Sequence, residues 1–127
     1  MALGIRYSNK IAIDLWQGRA EDFETDITLT LAGKTTAAAI ELISLATTLL
    51  PNADDVQKSG QANHAKIIVP ETLPPTSAPS AMTALEQSSK DEAIQRNIRR
   101  ITWIMPSLEH YDAYLAALFE IFPEREP

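Results

Sequence analysis

Apolar positions in this chain recur first every second residue and then at helical spacing, and the two rhythms take turns from end to end. Over Ile11–Trp16, Ile11, Ile13 and Leu15 alternate with Ala12, Asp14 and Trp16, which predicts a strand with one well-buried face. Leu3–Tyr7 precedes it across the polar Ser8-Asn9-Lys10, a spacing that predicts a hairpin. Gln17–Thr25 is acidic and loop-like, and Ile27–Leu31 alternates again as a strand. Thr36–Leu50 then takes up the helical rhythm, with Thr35 or Thr36 as its cap and Pro51 as its stop. Its Ile40, Leu42, Ile43, Leu45, Ala46, Leu49 and Leu50 are too many for a helix with one wet side. This helix is expected to pack on the sheet and to touch a further neighbour, either another element or another subunit.

Asn52–Ala65 reads as a surface loop with a short helical turn over Ala53–Lys58, and Lys66–Val69 as a short central strand. Pro70, Pro74, Pro75 and Pro79 make Pro70–Pro79 a stiff, extended loop leaving the carboxyl end of that strand. Ser80–Ile98 is expected to form one amphipathic helix, Ile101–Met105 a strand ended by Pro106, and Leu108–Phe122 a closing helix ended by Pro123. Alternating strands and helices imply an α/β domain, because parallel strands need crossovers. The expected architecture is a single three-layer domain spanning residues 1–127, with a mixed sheet of about five strands, antiparallel at its N-terminal edge, and three main helices. A ligand of such a domain belongs at the carboxyl ends of the strands.

Composition narrows the function more than the fold. The chain has 127 residues and no cysteine, which removes disulfides, thiolate metal sites and cysteine nucleophiles. A net charge of −6 argues against duplex nucleic acid as a partner, since phosphate binding needs a surplus of lysine and arginine. The basic cluster Arg96, Arg99 and Arg100 has Asp91, Glu92 and Glu109 near it in sequence and reads as a solvated helix end. Met1–Lys10 has no long apolar run, so no secretory signal is expected, and Thr35–Leu50, broken by Glu41, is too short to span a bilayer. No membrane partner and a cytoplasmic location are expected.

Candidate chemistry is sparse. Gly33-Lys34-Thr35 between a strand and a helix is reminiscent of the end of a P-loop, but the glycine that such a loop needs five residues earlier is Thr28 here, so a phosphate wrap is not formed. A weaker anion site at the helix start, over Gly33, Lys34, Thr35 and Thr36, stays open beside an ordinary strand-to-helix turn. His64 and His110 lie in no spaced ligand motif, so each is expected at the surface; acid–base work would need a partner such as Glu71. Asp14 is expected to be a charge guarding an edge strand, and Trp16 and Trp103 to pack in the core or an interface. Ser107, Glu109 and Tyr111 follow the last strand at its carboxyl end and are the best-placed polar groups for a pocket there. No catalytic residue, metal or cofactor is expected.

Two stretches resemble the macro domain, the ADP-ribose-binding module. Lys10-Ile11-Ala12-Ile13-Asp14-Leu15-Trp16-Gln17-Gly18, followed by Asp26-Ile27-Thr28-Leu29-Thr30-Leu31-Ala32, is similar to that family's opening strands. Ile98–Pro106, followed by Tyr111 and Tyr114, is similar to its last strand and helix. Arg19 stands where the family has its adenine-reading aspartate, and Gly33-Lys34-Thr35-Thr36 replaces its asparagine-bearing segment. The resemblance therefore implies a fold and carries over no ligand residue. Two functions are expected from different classes. One is a non-enzymatic interaction or assembly module that self-associates as a homo-oligomer. The other is a domain binding a small nucleotide- or phosphate-type ligand through Gly33–Thr36, Glu71–Pro75 and Ser107–Tyr111.

Overall fold

The computed structural model describes residues 6–8, 11–19, 21, 25, 27–50 and 63–122. In chain order the elements are β1 (Arg6–Ser8), β2 (Ile11–Gln17), β3 (Ile27–Thr30), α1 (Thr36–Leu49), β4 (His64–Ile68), a 3₁₀ turn (Pro75–Ser77), α2 (Ala78–Ser88), α3 (Glu92–Asn97), β5 (Arg100–Met105) and α4 (Leu108–Ile121). The turn expected over Ala53–Lys58 lies outside the described residues.

The fold is mixed α/β. The sheet runs in the order β1-β2-β5-β4-β3. Its body is parallel: β2 on β5, β5 on β4 and β4 on β3. The three-residue β1 lies antiparallel to β2, with Arg6 opposite Ile13 and Ser8 opposite Ile11. The parallel register sets whole rows of side chains. On one face Ile13, Ile101, Ala65 and Ile27 stand in line, and next to them Leu15, Trp103, Ile67 and Leu29. Ile13, Ile101, Ala65, Trp103 and Ile67 are fully buried in these two apolar rows.

The helices cover that face. α1 touches α2, α2 touches α4, and α4 reaches β2 and β5 while α1 reaches β3. Helices on opposite sides of a sheet are kept apart by it, so α1, α2 and α4 form one connected layer. Both β3-α1-β4 and β4-α2-α3-β5 step in the same direction across the sheet, and right-handed crossovers then lie on the same side. Three layers were expected; the described helices α1, α2 and α4 make one layer on one face. The expected number of main helices is corrected too, from three to the four described helices.

The extra helix comes from a break inside Ser80–Ile98. Leu85 and Ile94 lie about two and a half turns apart, on opposite sides of any continuous helix. Both are buried, so the chain must turn between them. Ser89 Oγ donates to the Glu86 carbonyl to close α2, and Asp91 accepts from the Ala93 N–H to open α3. α2 also starts before Ser80, because Pro79 in a first helical turn sacrifices no hydrogen bond. β4 begins at His64 instead of Lys66. Asn63 before it takes φ +52°, which asparagine tolerates, and its carbonyl accepts the Arg99 N–H at 3.0 Å. Among the described residues no helix is long and apolar enough to cross a membrane.

The layer is fastened to the sheet at Tyr114. Its ring lies 6.1 Å from that of Trp103, tilted by 42°, and its hydroxyl is 2.6 Å from Ser77 Oγ in the 3₁₀ turn. Burial pushes the Tyr114 phenol above its ordinary pKa, with the Ser77 hydrogen bond acting against that shift. A phenol harder to ionise when folded supports the native state below the ordinary tyrosine range, and that support fades as pH rises past about 10. Tyr114→Phe is therefore expected to cost about 1–2 kcal/mol at neutral pH, by stranding the buried Ser77 hydroxyl. It should also flatten the loss of stability above that range. Urea unfolding at neutral and alkaline pH checks both effects.

Candidate functional site

The face of the sheet turned away from the helices carries a polar row. Asp14, Thr102, Lys66 and Thr28 stand in register across β2, β5, β4 and β3. Thr102 is fully buried and donates its hydroxyl proton to Asp14 Oδ1 at 2.5 Å. The other Asp14 oxygen is ion-paired to Arg100. Having spent its proton on Asp14, the Thr102 oxygen accepts from His64 Nε2 at 2.7 Å, so that nitrogen carries a hydrogen. The result is a chain from His64 through Thr102 to Asp14, closed by Arg100, which ties β4, β5 and β2 together. Thr102 is too enclosed to meet a substrate, so this arrangement is structural.

One row further toward the carboxyl ends the face turns apolar, with Trp16, Ile104, Ile68 and Thr30 in register. Ile68 and Ile104 form the wall of an open cavity of about 370 Å³. Val69, Met105, Pro70 and Pro106 continue its apolar lining, and Gly18, Arg19, Glu21 and Glu71 form the polar side. Gly18 has φ +153°, and a Cβ there would stand 3.2 Å from the Trp16 indole nitrogen, so glycine lets the chain turn tightly over the tryptophan. Arg19 Nε donates to Glu21 Oε2 at 3.2 Å. A hydrogen bond from its own backbone N–H, then Arg19, then the more distant charge of Lys66 hold the Glu21 carboxyl below its ordinary pKa. Glu71 is exposed on the rim.

Of the residues singled out from sequence, Glu71 lines this cavity; Gly33, Lys34, Thr35, Thr36, Ser107, Glu109 and Tyr111 are not among its lining residues. Thr35 Oγ accepts the Ala38 N–H at 3.1 Å and is the cap of α1, while Lys34 beside it is exposed. Ser107 caps α4 by accepting the His110 N–H at 3.2 Å. Glu109 is exposed in the first turn of α4, where a carboxylate favours the helix dipole, and Tyr111 is half-buried against the core.

Four expectations are corrected by these contacts. His110 is buried, not at the surface: Nε2 donates to the Leu73 carbonyl at 2.7 Å, and Nδ1, 2.7 Å from Ser107 Oγ, accepts its proton. It clamps the proline-rich loop to α4. His64 is half-buried in the Thr102 network. Asp14 is not a bare charge guarding an edge, because its carboxylate is taken by Thr102 and Arg100 of the neighbouring strand β5. Likewise Arg100 belongs to β5 and to that ion pair, not to a solvated helix end. Sequence reasoning missed Gly18, Arg19 and Glu21 as cavity residues. Their signal was the glycine and paired charges directly after an alternating strand.

No family model, curated protein or solved structure matches this chain at a significant level.

Asp14→Ala removes the acceptor of both Arg100 and the buried Thr102 hydroxyl and is expected to cost about 2–3 kcal/mol, measured by chemical denaturation. A loss within about 0.5 kcal/mol would deny the network its role. His110→Ala should loosen the Leu73 clamp, with faster protease cleavage and hydrogen exchange confined to residues 70–79.

Proposed function

We propose that this chain is a non-enzymatic interaction module that assembles with copies of itself through the outer face of α1. The observation that carries the reading is the pair Leu45 and Leu49, one turn apart and exposed by 47% and 54%. α1 satisfies the layer with Ala39, Ile43 and Ala46 and still presents these two leucines outward. Glu41, Ser44 and Thr48 are exposed around them, so the patch has a mild polar rim. An isologous contact, in which the same helix face meets its own copy, is the commonest way such a surface is covered. The expectation that this helix touches something beyond its own sheet follows the same line: its apolar surplus is the part that intramolecular packing leaves over.

The other reading, a nucleotide- or phosphate-type binding domain related to macro domains, draws on the strand-end cavity. Its rim supports it less. Glu21 and Glu71 repel phosphate, and Arg19 is engaged by Glu21. We read the macro-domain resemblance as one of chain plan alone, since Arg19 takes the place of the family's adenine-reading aspartate and turns to Glu21.

Sedimentation velocity over a concentration series tests the assembly reading. The wild-type chain is expected to form dimers or larger species at high micromolar concentration. The double variant Leu45→Glu, Leu49→Glu should stay monomeric while keeping its unfolding midpoint, because both positions are exposed. A wild-type chain that stays monomeric throughout would overturn it.

A further inference from the structure

We propose that the cavity at the carboxyl ends of β4 and β5 is a binding site for a small organic cation, an amine carried on an apolar or aromatic body. Ile68, Ile104, Pro70 and Pro106 offer an apolar wall large enough for a ring, within a volume of about 370 Å³. Among the described residues, the charged groups lining that wall are two carboxylates, Glu21 and Glu71, and one guanidinium, Arg19. Arg19 is paired with Glu21, which leaves Glu71, exposed on the rim, as the lining carboxylate not engaged by Arg19. A buried apolar body with one cationic end matches a wall of this kind edged by a carboxylate.

Trp16 adds a second, independent feature. It stands beside Ile104 in the register, on the same face of the sheet, and is 40% exposed. Trp16 is not itself a lining residue, but its indole lies against Gly18 and its strand position is paired with Ile104, both of which line the cavity, and an indole face attracts positive charge. Gly18 keeps this arrangement open: with φ +153° and a Cβ position 3.2 Å from the indole nitrogen, any larger residue would displace the tryptophan or the turn. The net charge of −6 draws cations toward the molecule and disfavours anions at the same mouth. Lys66, on the same face, is buried one row further back. This site is separate from the outer face of α1 and does not depend on the assembly reading.

The test is a titration of the full chain followed by amide resonances in NMR, using 2-phenylethylamine, its uncharged analogue 2-phenylethanol and phenyl phosphate. The amine is expected to shift Gly18, Arg19 and Glu71 and to bind about tenfold more tightly than the alcohol, with phenyl phosphate weakest. The double variant Glu21→Gln, Glu71→Gln, checked for an unchanged spectrum, should bring amine and alcohol to equal affinity. Trp16→Leu should weaken the amine roughly threefold and leave the phosphate unchanged. Absence of shifts with millimolar amine, shifts confined to other surfaces, equal affinity for the alcohol, or preference for the phosphate would each overturn the proposal.

Discussion

The pairing of β2 with β5 is the contact from which the rest of this molecule follows. Ile13 beside Ile101 and Leu15 beside Trp103 face the helices, while Asp14 beside Thr102 faces the other way. Side chains alternate with period two, so a slip of one residue would drive a carboxylate into the core and Ile13 and Leu15 out of it. Asp14 fixes that register chemically as well, because its two oxygens are taken by Thr102 and Arg100 of the neighbouring strand. One face of the sheet is thereby committed to hydrophobic packing and the other to a hydrogen-bonded row. A helix layer can then satisfy the first without touching the second.

That two-sidedness also positions the candidate sites. The polar row is closed on itself, with Thr102 buried between His64 and Asp14, and leaves nothing for a ligand. One step toward the strand ends the row becomes Trp16, Ile104 and Ile68, and there the surface opens. On the opposite side, α1 carries more apolar residues than its contacts with β3, α2 and α3 absorb. The excess appears as Leu45 and Leu49. Both surfaces are remainders of the same packing problem: what the core does not use is available for contact with other molecules.

The elements with pure rhythm were legible from the chain alone. β2, β3 and β5 alternate cleanly, and α1 and α4 keep helical spacing, so their places were expected within a residue or two. The helix break between Leu85 and Ile94 was written in their spacing, which no continuous helix can bury on one side; a window averaged over the whole stretch hides it. β4 was harder. His64 looks like a loop residue until its partners, the buried Thr102 and the strand neighbour Arg100, are known, and those lie far along the chain. The same distance concealed the partner of Asp14 and the Leu73 carbonyl that buries His110. The site was legible in part, through Glu71, because a strand end is a place set by topology. Its other residues depend on how the turn after β2 lies against the ends of β4 and β5, and side-chain rhythm does not encode that.

A double-mutant cycle between Asp14→Ala and Thr102→Val measures the decisive contact most directly. With the strands in this register, the two changes remove the same hydrogen bond, so their effects on unfolding free energy should fall short of additivity by about 1–2 kcal/mol. Strict additivity would mean that the two side chains do not meet, and the division of the sheet into an apolar and a polar face would lose its basis.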